Sequence, residues 1–155
     1  MTNYEIRKIE ERDYARLAII EKICFVSPWT KEQIKSEVEC NQFANFYVFE
    51  VEENTQKTII GYYDYWVTFD SATIAQIAVI PEYRKQGIAS IMMQEILDDC
   101  YAKRVRNLTL EVRKNNVKAQ RLYEKFGFKA ILLKPHYYDN GDDAIYMIKE
   151  INLNG

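Results

Sequence analysis

Residues 76–93 read QIAVIPEYRKQGIASIMM, and the hydrophobic period changes inside this stretch. Gln76 to Ile80 is rich in apolar and β-branched residues, as a buried strand is. After Pro81 the pattern Arg84-x-x-Gly87-x-Ala89 opens a helix. From there Ala89, Met92, Met93, Ile96, Leu97 and Cys100 recur at the three- and four-residue spacing of one helix face. A strand, a short turn and an amphipathic helix make the unit of an α/β sheet. The turn is also an anion site in outline. A helix N-terminus presents unpaired N–H groups and the positive end of the dipole, and small residues let a phosphate approach the backbone. Arg84 and Lys85 add positive charge. The turn lacks both the G-x-x-x-x-G-K-S/T and the G-x-G-x-x-G patterns of the common nucleotide loops.

Upstream, Tyr4 to Ile9 reads as a short strand. A helix follows from about Asp13, an N-cap residue, with Tyr14, Leu17, Ala18, Cys24 and Phe25 near one face. A second helix starts at Thr30, where Thr30 and Gln33 make a capping box and Trp29 and Ile34 a hydrophobic staple; Ile34 and Val38 share its apolar side. Phe43 to Val51, Thr58 to Phe69 and Ala72 to Ile80 predict a three-stranded meander turning at Glu52–Lys57 and at Asp70-Ser71. Downstream, Leu108, Leu110 and Val112 alternate as a strand does. Ala119, Leu122, Tyr123 and Phe126 mark a further helix, stopped by Gly127. Phe128–Leu133 and Ala144–Ile151 close the chain as two strands. The expectation is one domain spanning residues 1–155, with a mixed, mostly antiparallel sheet of about seven strands flanked by about four helices.

The chain has 155 residues, 48% of them apolar and 28% charged, enough for a packed core. Lys+Arg of 21 against Asp+Glu of 23 gives a net charge of -2, which argues against a general nucleic-acid binder. No apolar run reaches the ~18–20 residues of a membrane helix, and the charged start from Met1 to Arg16 does not resemble a signal peptide. Three cysteines (Cys24, Cys40, Cys100) without a CxxC pair support neither a disulfide framework nor a zinc site, so a reducing cytoplasm is the expected setting. Pro81 to Lys134 holds 12 of the Lys/Arg against 6 Asp/Glu, while the remainder is acidic. Such a split suits a polyanionic ligand beside a cationic one.

Leu110-Glu111-Val112-Arg113, Asn115-Asn116 and Ala119 to Phe128 (AQRLYEKFGF) add to the Arg84-x-x-Gly87 turn. Together they make the chain similar, over nearly its whole length, to the GCN5-related N-acetyltransferase (GNAT) family. Ser27-Pro28-Trp29, Ile77-Ala78-Val79, Tyr137-Tyr138 and Asp142-Asp143-Ala144-Ile145 resemble its ribosomal-protein-alanine branch (RimI type). Ala89 departs from the second glycine common in that turn, but alanine still permits close approach.

The resemblance implies acetyl-CoA as cofactor. It implies binding along Ile77, Ala78 and Val79, with the pyrophosphate on the turn formed by Arg84, Lys85, Gln86, Gly87, Ile88, Ala89 and Ser90, and a further contact from Asn116. It implies direct attack of an amine on the thioester, with Glu111 as general base, the Val79 N–H as donor to the developing oxyanion, and Tyr123 as general acid toward the thiolate. The implied acceptor is a protein N-terminal α-amine, that of an alanine in a small-subunit ribosomal protein. Trp29, Tyr137, Tyr138, Asp142 and Asp143 are candidates for lining its entry. No metal, nucleic acid or membrane enters this reading.

The residues by themselves leave other uses open. Taken alone, Tyr123 lies on the core stripe of its helix and reads more often as core, and Glu111 more often as a surface strand residue. The Asp139–Asp143 stretch reads first as a polar turn, since it lacks the spacing of a calcium loop. His136 has no Ser or Cys motif to make a triad. A family member acting on a small amine, such as a polyamine or an aminoglycoside, and a module that binds coenzyme A or a partner without turnover are the rival functions.

Overall fold

The computed structural model describes residues 3–154. Along the chain run strand β1 (Asn3–Lys8), helices α1 (Tyr14–Cys24) and α2 (Lys31–Cys40), and strands β2 (Ala44–Glu53), β3 (Gln56–Thr68) and β4 (Ser71–Val79). Helix α3 (Ile88–Ala102), strand β5 (Asn107–Arg113), helix α4 (Val117–Lys125) and strands β6 (Lys129–Lys134) and β7 (Ala144–Glu150) complete it. The element order is the expected one. The sheet runs β1-β2-β3-β4-β5-β7-β6, with β4 and β5 parallel and the β1–β2, β2–β3, β5–β7 and β6–β7 pairs antiparallel. No described helix is long and apolar enough to cross a membrane.

The chain forms two compact units. One takes the chain up to Trp66 together with Ala75–Met92; the other takes Val67–Ile74 and the chain from Met93 onward.

In the first unit, Leu17, Ile20, Ile34, Val48, Phe49, Ile60, Tyr62 and Met92 are fully enclosed. The capping box at α2 is present: Thr30 Oγ1 accepts the Gln33 N–H at 3.1 Å and Gln33 Oε1 accepts the Thr30 N–H at 2.8 Å. Two local expectations change. The Glu52–Lys57 turn shrinks to Asn54-Thr55, both at positive φ, because a two-residue reversal of that hand matches the twist of the flanking strands. Asp13 does not cap α1 with its side chain. It takes both Arg7 Nη groups, at 2.8 and 3.0 Å, from within a tight turn at Glu11–Asp13, and an ion pair out of solvent outweighs one cap bond. Glu21, on the buried side of α1, accepts the Trp29 N–H at 2.7 Å, Gln76 Nε2 at 3.2 Å and the Tyr62 hydroxyl. It ties the loop after α1 to β3 and β4.

Asp64 on β3 is also fully enclosed. Burial, then the neighbouring Glu37 carboxylate, pushes its pKa up to about 10. Asp64 is therefore protonated at neutral pH beside Glu37, which accepts Trp66 Nε1 and Asn41 Nδ2.

In the second unit, Met93, Ile96 and Cys100 of α3 are enclosed, as are Leu108, Leu110 and Val112 of β5 and Ala144 and Met147 of β7. Helix α4 ends in a Schellman motif. Gly127, at φ +94°, donates to Glu124 O at 2.9 Å, and Phe128 donates to Tyr123 O at 3.1 Å. The accompanying apolar contact is Tyr123 against Phe128, with ring centroids 5.9 Å apart.

Candidate active site

The candidate residues divide between the units, and each half has its own construction. In the first unit, β4 ends at Val79 and a tight turn at Pro81–Tyr83 leads to Arg84. Lys85 at φ +63° and Gly87 at φ +80° both take the left-handed conformation, which bends the backbone into a cradle ahead of α3. The first helical bond, Ile91 N–H to Gly87 O at 3.1 Å, leaves the N–H groups of the preceding turn without helical acceptors. A Cβ built on Gly87 would meet nothing within 4 Å, so the cradle is open on that side. Free N–H groups, a helix dipole, an open glycine and a lysine are the donor set a pyrophosphate requires, and the turn fits coenzyme A.

Arg84 stands differently from expectation. Its Nε donates to Val79 O at 2.8 Å and its Nη2 reaches Cys24 Sγ at 3.6 Å, while Cys24 Sγ itself lies 3.6 Å from Val79 O. The guanidinium therefore braces the end of β4, and its charge reaches the turn only from that side. Behind the same strand, a Cβ on Gly61 of β3 would collide with Ala78 O and lie 2.8 Å from Met92 Cε. Glycine there lets the Ile77–Val79 segment pack against its neighbour. Trp29 belongs to this unit too. It lines a hollow of about 520 Å³ with Gln33, Ser36, Glu37, Cys40 and Asn41.

In the second unit, Glu111 alternates with the buried Leu110 and Val112 and is half-buried on the opposite face of β5. Its Oε1 receives Lys134 Nζ at 2.8 Å. Lys134 in turn lies 4.8 Å from the Tyr146 ring centroid and 5.2 Å from that of Tyr137. Tyr123, on α4, is 7% exposed, and burial, with a smaller contribution from Tyr138, holds its phenol pKa above the usual value. It is a protonated hydroxyl at neutral pH. Tyr138 is pushed up to about 12, mainly by burial.

The remaining candidates in this unit have structural partners. Asn116 caps α4, its Oδ1 accepting the Ala119 N–H at 3.2 Å. Asp142 pairs with Arg113 at 2.9 Å, and Arg113 lies 3.8 Å from the Tyr138 ring centroid. Asp143 accepts the His136 N–H at 3.0 Å. The two aspartates thus shape the loop before β7, and Arg113 offsets the charge of Asp142. Several cations of the basic segment are engaged in the same way: Lys103 with Asp99, Arg106 with Asp70, Lys134 with Glu111. With Arg113, that makes four of the segment's 12 Lys/Arg held in ion pairs.

Lys134 and Tyr146 are the residues that sequence reasoning missed. Their signal is the strand register, in which Glu111 stands opposite Tyr146 and Lys134 opposite Ala144, two residues away on the same face.

Residues 7–128 match the family model described as the acetyltransferase (GNAT) family. A Bacillus subtilis (strain 168) protein provisionally named ribosomal protein bS18-alanine N-acetyltransferase is 36% identical, over 97% of this chain and 98% of its own length. The ribosomal protein bS18-alanine N-acetyltransferase of Escherichia coli (strain K12) is 30% identical, over 96% of this chain and 98% of its own. The crystal structure of the ribosomal-protein-S18-alanine N-acetyltransferase from Escherichia coli superposes with a TM-score of 0.84 at 28% identity, covering 99% of this chain and 97% of that one.

Proposed function

The chain belongs to the acetyltransferase (GNAT) family and is an acetyl-CoA-dependent N-acetyltransferase, and from that premise we propose that it acetylates the N-terminal alanine of a small-subunit ribosomal protein in the cytoplasm. The observation that carries the mechanism is a half-buried carboxylate, Glu111, in the same unit as a buried and protonated phenol, Tyr123.

Acetyl-CoA, when bound, supplies the acetyl group as an activated thioester. Ile77–Val79 and the turn from Arg84 to Ser90 are the residues assigned to hold it. Glu111 takes a proton from the acceptor ammonium, directly or through one water, and so frees the nitrogen lone pair. The Val79 N–H is the donor assigned to negative charge developing on the carbonyl oxygen. Tyr123 holds a proton on Oη at neutral pH, because a phenolate in its apolar surroundings is disfavoured. That proton is the one assigned to the leaving sulfur.

The chemistry of the acceptor supports an α-amine. An α-amino group titrates near ~7.7–8.0 and a lysine near ~10.4, so a single carboxylate meets a much easier proton on a peptide N-terminus. Mass spectrometry of a peptide panel incubated with acetyl-CoA tests the reading. Peptides beginning with Ala should gain one acetyl group, and the same peptides blocked at the N-terminus but bearing lysines should gain none. Turnover of polyamines or aminoglycosides alone would overturn the acceptor class and leave the acetyl donor standing. No turnover of any amine would favour the binding module.

A further inference from the structure

Glu111 already holds an ammonium. Lys134 Nζ is 2.8 Å from Glu111 Oε1 and lies 4.8 and 5.2 Å from the Tyr146 and Tyr137 ring centroids. A carboxylate flanked by two aromatic rings is what a protonated amine binds: one charge-assisted hydrogen bond, and attraction by the ring faces within about 6 Å. The strands produce this arrangement directly. Glu111 and Tyr146 are opposite each other on β5 and β7, and Lys134 enters from β6 on the same face, opposite Ala144. The neighbouring cation, Arg113, is engaged elsewhere, by Asp142, Asn140 and the Tyr138 ring.

Resting on Glu111 as the base, we propose that Lys134 is a resident stand-in for the acceptor amine: it occupies the seat of the substrate's N-terminal ammonium, walled by Tyr137 and Tyr146, and an incoming peptide displaces it.

Two features of Lys134 suit this role. Its side chain is about one-third exposed and rises from β6 at the end of the sheet order, so its four-carbon stem can swing into water. The bond to Glu111 also raises its pKa, which keeps it an ammonium, so it competes for the seat without acting as an acceptor itself. The occupant the seat selects is a primary ammonium on a chain end. An acetyl-capped terminus has neither the charge for the rings nor the extra donors for Glu111, so the product leaves and Lys134 returns.

The test uses the full chain and an eight-residue peptide beginning with Ala, with a free or an acetylated N-terminus. By calorimetry, Lys134→Met should bind the free peptide about tenfold more tightly than the parent, since a partly exposed ion pair and its ring contacts no longer compete. In turnover, the KM for peptide should fall with kcat within about twofold, given that Lys134 leaves before any proton moves. Equal or weaker binding by Lys134→Met would overturn the proposal. A second measurement needs no variant and no turnover. An amine-acylating reagent, read by mass spectrometry, should label Lys134 faster when the free peptide is added and at an unchanged rate with the acetylated one. Labelling that slows or stays constant with the free peptide would also overturn it. Failure of the underlying base assignment reads differently: Glu111→Gln would then retain kcat, whatever Lys134 does.

Discussion

The turn at Arg84–Ser90 and the cluster around Glu111 are made in opposite ways. The turn is local: left-handed Lys85 and Gly87, followed at once by the free N–H groups of α3, build a cradle from a few consecutive residues. The Glu111 cluster is assembled from β5, β6, β7 and the loop after β6, with partners 23 to 35 residues away in sequence. Backbone geometry makes the first, and side chains that meet across strands make the second. The two should therefore fail differently when damaged. The turn should lose affinity, and the cluster should lose rate.

The largest expected effect tests the cluster. Glu111→Gln and Tyr123→Phe each remove one proton-transfer group and keep the shape, so kcat should fall roughly 10²–10⁴-fold. Affinity for coenzyme A, measured by calorimetry, should stay within about threefold, because neither residue belongs to the cradle. If Tyr123→Phe keeps normal kcat, Tyr123 is a core residue and the leaving thiolate takes its proton elsewhere; if Glu111→Gln keeps it, the comparison loses its catalytic half.

Gly87→Asp should damage the cradle alone. Aspartate tolerates the left-handed conformation better than most residues, and nothing lies within 4 Å of its Cβ, so the fold should stand. A carboxylate facing a polyphosphate costs several kcal/mol, which predicts a loss of coenzyme A affinity of about 100-fold or more. A folded variant with parental affinity would place the pyrophosphate elsewhere.

Gly61→Ala asks whether the strand behind the cradle matters. Its methyl must push Ala78 O or Met92 Cε aside, at a cost of ~1–3 kcal/mol of stability in urea unfolding. Because Ala78 lies within the assigned cofactor segment, coenzyme A affinity should drop as well, by less than in Gly87→Asp. A stability loss with full affinity would separate packing at Gly61 from the site.

The smallest effect lies outside both regions. Asp64 keeps its proton in the fold up to a pKa of about 10, whereas the unfolded chain releases it near ~3.9. Between those values the unfolded state binds fewer protons, so stability declines as pH rises. Asp64→Asn donates to Glu37 without titrating. It should raise stability over the parent more at pH 7 than near pH 4, with kcat unchanged. Stabilisation that does not depend on pH would show that Asp64 is not the protonated partner.

The legible parts of the sequence share a property. The capping box at Thr30, the α3 stripe through Met92, Met93, Ile96 and Cys100 and the Gly127 stop depend on residues within two or three helical turns of each other, and these stand as expected, with Ala89 and Leu97 only half-buried. Asp13 misled although its partner is only six residues away: the same carboxylate suits a cap and an ion pair, and the tight turn at Glu11–Asp13 aims it back at Arg7. Glu21 gave no sign of burial, since its partners, Trp29, Tyr62 and Gln76, come from three other segments.

What the sequence by itself determined is the element order and the position of the turn between β4 and α3, because hydrophobic period, helix caps and a left-handed glycine act over a few residues. What only the tertiary structure decided is which charges neutralise which. Lys134 looked like one more cation of a basic segment until strand register set it against Glu111, between two tyrosine rings. Arg113 and Asp142 cancelled each other in the same way. A charge pair is chosen by distance and by the water excluded around it, and neither quantity exists until the strands have paired.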